Sequence, residues 1–293
     1  MKILITGGTG FIGSHLVHAL THDQHEVAIL SRSKKSSNNP HLTYLQWNGK
    51  EMPLGIGLYD AVINLAGASI VDNKWNEEGK QLIIDSRKYA TQACVEYINN
   101  NPSPPKVFLS ASGVGHYGWD ITEAVDESAP TGSDFPAQVV KIWEDEALKA
   151  NCRTVLLRIG LVLGKNGGAM DKLLPLYKFY LGGKIGSGKQ GFPWIHIGDI
   201  VGAIRFMLEH EAASGPVNLV GPEMVDQRTF SHALAKAAGT IDILPVPSFV
   251  MKMMLGSRAN LLLGGKKVIP AKLKEFGYSF AYPELAGALA DLV

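Results

Sequence analysis

A glycine-rich turn near the N-terminus limits what this chain can fold into more than any other feature. Thr6-Gly7-Gly8-Thr9-Gly10-Phe11-Ile12-Gly13 follows the apolar run Ile3-Leu4-Ile5 and opens a stretch in which Ile12, Leu16, Val17 and Leu20 recur at helical spacing. Gly7 permits a tight turn, Gly10 lets backbone approach a pyrophosphate, and Gly13 lets helix pack close on strand. The start of the helix then offers N–H donors and a positive dipole end to phosphate. A lone glycine turn is a weak signal. Strand, turn, helix and a second strand ending near 30–32 make a specific one.

The rest of the first half keeps the same alternation. Apolar runs at 27–30, 42–47, 61–65, 107–109 and 154–157 alternate with helical patterns, notably at about 76–100 and 134–150. Alternating strands and helices predict an α/β fold: a doubly wound, parallel Rossmann sheet covered on both faces, with ligands at the carboxyl ends of the strands. After Gly164 the texture changes to glycine-rich loops over 164–191, a helical stretch near 199–210, a strand at 217–220 and a Met/Leu-rich tail. We therefore expect a dinucleotide-binding domain over 1–163 and a smaller, mainly substrate-binding domain over 164–293. About 192–221 is expected to return to the Rossmann sheet.

Composition excludes several classes. Lys plus Arg (28) against Asp plus Glu (27) leaves a net charge of +1, without the basic excess of a phosphate-neutralising nucleic-acid binder. Hydrophobic residues at 46% with charged residues at 19% point to a globule with much buried surface. Two cysteines, Cys94 and Cys152, build neither a disulfide framework nor a cysteine metal site, and fit a reducing compartment. The N-terminal apolar run is too short for a signal peptide, and no run approaches the roughly 20 residues that cross a bilayer. The expectation is a soluble cytoplasmic protein with a small-molecule substrate and no nucleic-acid or membrane partner.

The residue after the second strand usually selects the nicotinamide cofactor, because the adenosine ribose lies there. An acid would accept from a free 2′-hydroxyl, but this chain has Ser31-Arg32-Ser33-Lys34, and Glu26 comes too early in the strand. Arg32 can pair with a 2′-phosphate and hydroxyls flank it, so NADP is favoured over NAD.

The turn with Gly7, Gly10 and Gly13, with Asn64-Leu65-Ala66-Gly67 ending the fourth strand, resembles the extended short-chain dehydrogenase/reductase superfamily. Further residues resemble its atypical subfamily of "epimerase family proteins", also called nucleoside-diphosphate-sugar epimerase-like or cell-division-inhibitor-like. These are Trp75, Ser86-Arg87, Ser112 with Tyr117-Gly118, Asp134-Phe135, Trp143-Glu144, Arg158 to Gly164, Gly186 to Gln190, and Trp194 to Asp199. The likeness runs through Gly265, Val268, Pro270, Gly277 and Phe280, so it covers essentially the whole chain. It implies a cofactor site in which Gly7, Thr9, Gly10, Phe11, Ile12 and Gly13 meet the pyrophosphate, while Ser31 and Arg32 meet the adenosine phosphate. Leu65, Ala66 and Gly67 pass the adenine-side ribose, and Arg87 and Val162 also touch NADP. Superfamily members often dimerise through helices of the sheet domain, and the low charge content permits a homodimer here.

The chemistry departs from that pattern. The superfamily's usual pair is Tyr-x-x-x-Lys on a helix, where the spacing puts both side chains on one face and the lysine charge lowers the phenol's pKa. Anchored on Glu144, those positions hold Pro136 and Val140, and a shift by one gives Ala137 and Lys141. Tyr180 and Lys184 have the spacing, but Gly182-Gly183 lies between them. Ser112, ending the fifth strand, and Tyr117 become the candidate catalytic residues, with His116 and Lys141 as second choices. His196 and Asp199 lack further ligands at metal spacing, and Asp199 near a helix start reads as a cap. The Leu181–Phe192 loop is the substrate-side candidate, and Met251, Met253 and Met254 read as small-domain core or a pliable pocket lining. Two readings remain: an NADP(H)-dependent oxidoreductase or epimerase acting on a small carbonyl or nucleotide-sugar, and a catalytically degenerate NADP(H)-binding sensor or interaction protein.

Overall fold

The computed structural model describes residues 1–119, 123–242 and 244–293. The first half runs β1 (Lys2–Thr6), α1 (Phe11–His22), β2 (Glu26–Ser31), β3 (Leu42–Gln46), β4 (Ala61–Asn64), α2 (Glu77–Asn99), β5 (Val107–Gly113), α3 (Phe135–Ala147) and β6 (Arg153–Ile159). Then come β7 (Leu161–Leu163), α4 (Met170–Lys178), β8 (Trp194–His196), α5 (Ile197–Glu209), β9 (Gly215–Leu219) and α6 (Gln227–Ala237). The C-terminal part adds α7 (Ser248–Leu255), α8 (Asn260–Leu263), α9 (Ala271–Glu275) and α10 (Leu285–Leu292).

Seven strands form one sheet in the order β3-β2-β1-β4-β5-β6-β9. The pairs β1–β2, β2–β3, β1–β4 and β4–β5 are parallel. The inner strands are apolar along their length because parallel strands are covered on both faces, and Ala61, Val62 and Ile63 are fully buried. Strand order reverses between β1 and β4, which makes the carboxyl ends of these two strands the topological switch point where open α/β sheets take ligands. This is the expected Rossmann architecture.

The chain divides into two compact units, interleaved in sequence: Met1–Ser112, Val139–Arg158 and Val201–Val217 in the first; Gly113–Gln138, Ile159–Ile200 and Asn218–Val293 in the second. This differs from a division at 163 with a return over about 192–221: the return to the first unit covers Val201–Val217. The segment 113–138 groups with the second unit, as does β8 within the stretch expected to rejoin the sheet, where it pairs with β7 instead. Only β9, at the end of that stretch, enters the seven-stranded sheet. Three-residue strands carry no readable periodicity, and a contact-based division is invisible to local pattern.

In the first unit a core of Leu4, Leu30, Val62, Cys94, Ile98 and Phe108 packs helices on the sheet. Helix α2 starts at Asn76, whose side chain accepts from the Gly79 N–H at 3.0 Å, with Glu77 and Glu78 favouring the helix dipole in the first turn. In the second unit Leu163, Met170, Tyr177, Trp194, Phe230 and Leu289 form the core.

Two second-unit expectations change. Met253 and Met254 on α7 are 78% and 69% exposed, so they neither fill the core nor line an enclosed pocket; α7 has no buried residue. Asp199 does not cap its own helix. It lies inside α5, where Oδ1 accepts from the Ala281 N–H at 2.7 Å and Oδ2 from the Tyr282 N–H at 3.0 Å, pinning the segment before α10. The glycines of the 181–192 loop serve close packing: a Cβ on Gly183 would stand 2.1 Å from the Leu244 carbonyl oxygen, and one on Gly191 would stand 2.3 Å from that of Lys266. Among the described residues no helix is long and apolar enough to cross a membrane, and no group of His, Cys, Asp and Glu could hold a metal ion.

Candidate functional site

The glycine turn closes the crevice at the switch point. Gly7 has φ +69°, and a Cβ there would come within 2.6 Å of the Leu65 carbonyl. A Cβ on Gly13 would stand 2.3 Å from the Gly7 carbonyl oxygen and 2.7 Å from the Gly8 Cα, so only glycine lets α1 start this close to β1. The Gly10 N–H donates to the Gly7 carbonyl at 3.0 Å, and Gly10 precedes α1 with no side-chain cap. Thr9 and Gly10 are exposed, Phe11 and Ile12 half-buried. The start of α1 thus presents backbone donors and a positive dipole end to an anion. A dinucleotide pyrophosphate fits this cradle.

A buried polar chain holds the opposite wall. Thr6 Oγ1 donates to Asn64 Oδ1 at 2.6 Å, and Asn64 Nδ2 donates to Thr91 Oγ1 at 2.9 Å. The Ala66 N–H reaches Thr6 Oγ1 at 3.3 Å, which ties the Leu65–Gly67 segment to the end of β1. Sequence reasoning named Leu65, Ala66 and Gly67 but gave no role to Thr6 or Thr91. The only available sign was polar residues in otherwise apolar strand and helix patterns.

Arg87 joins this wall from α2. Its Nη1 donates to the carbonyls of Ala68 at 2.9 Å and Ile83 at 3.0 Å, and its guanidinium lies 4.9 Å from the centre of the Trp143 ring. A Cβ on Gly67 would meet the Arg87 side chain at 3.2 Å. Burial holds the guanidinium's pKa down to about 10, and Arg87 makes no ion pair among the described residues. It stays a cation at neutral pH, placed beside the predicted ribose segment.

At the outer end, Ser31 is buried and its hydroxyl donates to the Ser33 carbonyl at 2.9 Å, shaping the turn that carries the exposed Arg32. Arg32 and its neighbours line a cavity of about 490 Å³. Gly7 to Gly13, Ser31, Arg32, Leu65 to Gly67 and Arg87 therefore all belong to the first unit. Val162 does not: it is buried in β7 of the second unit, opposite Ile195 of β8.

The catalytic candidates are engaged internally. Ser112, near the carboxyl end of β5, is 4% exposed, and its hydroxyl donates to Glu144 Oε1 at 2.5 Å. The Glu144 carboxylate also takes Arg158 Nε at 2.8 Å and Nη2 at 2.9 Å, a two-pronged buried pair. In the second unit Tyr117 is 2% exposed, and its hydroxyl donates to Asn218 Oδ1 at 2.7 Å. His116 stands edge-on to the Tyr117 ring and bonds Thr131 Oγ1 through Nε2 at 3.2 Å. Lys141 is exposed and pairs with Asp145 at 2.6 Å. Tyr180 lies beyond the end of α4 with φ +59°, so Tyr180 and Lys184 do not share a helix. Glu144, Arg158 and Asn218 were not singled out as partners, since separations of 32 residues (Ser112 to Glu144) and 101 residues (Tyr117 to Asn218) leave no local signature.

The chain is similar to proteins of one family. The NAD dependent epimerase/dehydratase family profile matches residues 3–221, and a domain of unknown function, DUF1731, matches 246–292. An epimerase family protein of Staphylococcus saprophyticus is 40% identical over 294 residues, covering 99% of this chain and 98% of its own. The structure of human epimerase family protein SDR39U1 with NADPH superposes with a TM-score of 0.92 at 36% identity, covering 100% of this chain and 99% of that one. A Bacillus cereus UDP-glucuronic acid 4-epimerase, solved with UDP-glucuronic acid and NAD, shares the fold at TM-score 0.77 and 20% identity, over 99% and 96% of the two chains.

Proposed function

This chain belongs to the NAD dependent epimerase/dehydratase family, and from that membership we propose that it is an NADP(H)-dependent oxidoreductase or epimerase acting on a small carbonyl or nucleotide-sugar substrate. The observation that carries the reading is the pairing of the glycine cradle at the switch point with a cation, not an acid, following β2. Backbone N–H groups at the start of α1 would hold the pyrophosphate, Arg32 the adenosine 2′-phosphate, and Leu65–Gly67 with Arg87 the ribose side. The human relative solved with NADPH supports the choice of cofactor. When bound, that cofactor supplies hydride transfer.

The chain's own contribution is orientation and proton handling. With its proton directed at Glu144, Ser112 Oγ faces any ligand as an acceptor, and it becomes a donor only when the hydroxyl turns away from the carboxylate. Tyr117, if it acts as an acid, must first leave Asn218.

A second reading, an NADP(H)-binding sensor without catalysis, is favoured by one specific observation: both hydroxyls that replace the missing Tyr-x-x-x-Lys pair are committed to buried internal acceptors. The test is calorimetric titration with NADPH and NADH, followed by NADPH oxidation against a panel of carbonyls and nucleotide-sugars. Turnover of any panel member supports the enzyme. Tight NADPH binding with no turnover supports the sensor.

A further inference from the structure

Parallel strands are usually joined through a helix, but the β2–β3 connection, residues 32–41, carries none. The face of these two strands beside α1 is left without a covering helix, Leu42 and Tyr44 are only half-buried, and a cavity of about 360 Å³ lies over them. Ile29 stands opposite Tyr44 in the register, and with Leu42 they make an apolar floor. The polar lining includes Thr9 from the glycine turn, His18 from α1 and Lys35 from the connection, and no aspartate or glutamate among the described residues. The turn is seated on this floor: a Cβ on Gly8 would stand 2.9 Å from Ile29 Cγ1. Lys35 and Thr9 are exposed, and neither side chain has a partner among the described residues.

Arg32 faces the other way. Leu30 packs in the first-unit core on the opposite side of β2 from Ile29, and Arg32, two residues on, lines the cavity of about 490 Å³, whose lining includes the acid Glu51. No residue of the glycine turn lines that cavity, whereas Gly8 and Thr9 line the one that holds Lys35. A phosphate monoester carries a charge of about −1.5 to −2 near neutral pH and three strong acceptor oxygens, so one guanidinium neither neutralises nor satisfies it. The connection rounds the carboxyl end of β2 and brings a second cation to the side of the strand where the turn lies.

We infer that Lys35 is a second determinant of cofactor choice, its ammonium meeting the adenosine 2′-phosphate beside Thr9 on the α1 side of β2 while Arg32 meets it from the other side. This rests on the NADP(H) reading above. Lys35 adds a smaller share than Arg32, because an ammonium that stays in solvent is screened. The acid-free lining favours an anion here, and a free ribose 2′-hydroxyl gains nothing from the ammonium that water does not supply.

The experiment compares Lys35→Met, which keeps a straight stem and removes the charge, with Lys34→Met, one residue earlier and lining neither cavity. The melting temperature of each variant is recorded, and calorimetric titrations use NADPH, NADH, 2′,5′-ADP and 5′-ADP. Loss of a solvent-facing ion pair predicts about fivefold weaker binding of NADPH and of 2′,5′-ADP to Lys35→Met, with NADH and 5′-ADP unchanged within about twofold and Lys34→Met close to the parent for all four ligands. Equal effects of the two substitutions would overturn the inference, because the charge would then act through the general field of the connection and not from the cavity. Unchanged NADPH affinity in Lys35→Met, or NADH weakened as much as NADPH, would overturn it equally. If the unmodified protein binds neither cofactor, the NADP(H) reading itself fails, and that result is distinct from a parent that prefers NADPH and a Lys35→Met variant that prefers it just as strongly.

Discussion

Ser112 Oγ and Glu144 Oε1 lie 2.5 Å apart, with the serine donating into a carboxylate that Arg158 grips from the other side. The relationship joins the end of β5 to α3 and β6 and fixes the orientation of the Ser112 hydroxyl. A buried ion pair of this kind is costly to break from one side, because the remaining charge stays buried.

Glu144→Gln is therefore expected to destabilise the fold by about 3–5 kcal/mol, leaving the Arg158 cation in the interior without its counter-charge. Ser112→Ala removes one donor while Arg158 continues to satisfy the carboxylate, and should cost about 1.5 kcal/mol. Urea unfolding with an unchanged m-value checks both, and a Glu144→Gln midpoint within error of the parent would refute the buried-pair account.

Tyr117→Phe separates structure from catalysis. The buried Tyr117–Asn218 bond predicts a stability loss of about 1–3 kcal/mol from the unpaired amide oxygen, with turnover on any panel substrate changed less than tenfold. A loss of turnover near 10²-fold with normal stability would instead identify the phenol as the general acid.

His196 carries a pH signature. Burial in the second unit lowers its pKa below the ordinary 6.5, against the opposing pull of Asp291 at 3.4 Å. A lowered folded-state pKa means that the native state favours the neutral ring. Its contribution is complete above the unfolded value and is lost as pH falls below about 6.5 through the folded value. Unfolding free energy should decline over that interval, and His196→Gln should flatten the decline. Equal slopes in parent and variant would contradict the assignment.

Cys94 is fully buried in the first-unit core, and burial pushes its thiol pKa far above the ordinary value; the half-buried Cys152 is raised in the same direction. Native protein treated with iodoacetamide at pH 8 should leave Cys94 unmodified, while urea-unfolded protein should react at both cysteines. Rapid native alkylation at Cys94 would contradict this burial.

The parts of the fold visible in sequence were those that follow local rules. Ile3 to Ile5, Val27 to Leu30 and Ala61 to Leu65 are apolar because inner parallel strands are buried on both faces, and each became or largely overlapped a strand. Gly7 and Gly13 were legible because their backbone positions exclude any Cβ. Other features depend on residues far apart in sequence: β7 with β8, Asp199 with Ala281 and Tyr282, and Tyr117 with Asn218. Apolar character also does not report direction, so Met253 and Met254 read as core and stand exposed.

The central claim is that the cradle and Arg32 together select NADPH. Parallel calorimetric titrations of NADPH and NADH on the unmodified protein and on Arg32→Ala test it most directly. One charge-assisted pair with a phosphate is worth about 1.5–3 kcal/mol, so NADPH should bind at least about tenfold tighter than NADH, and Arg32→Ala should remove most of that margin while leaving NADH nearly unchanged. Equal affinities for the two cofactors, or a preference that survives Arg32→Ala intact, would contradict it.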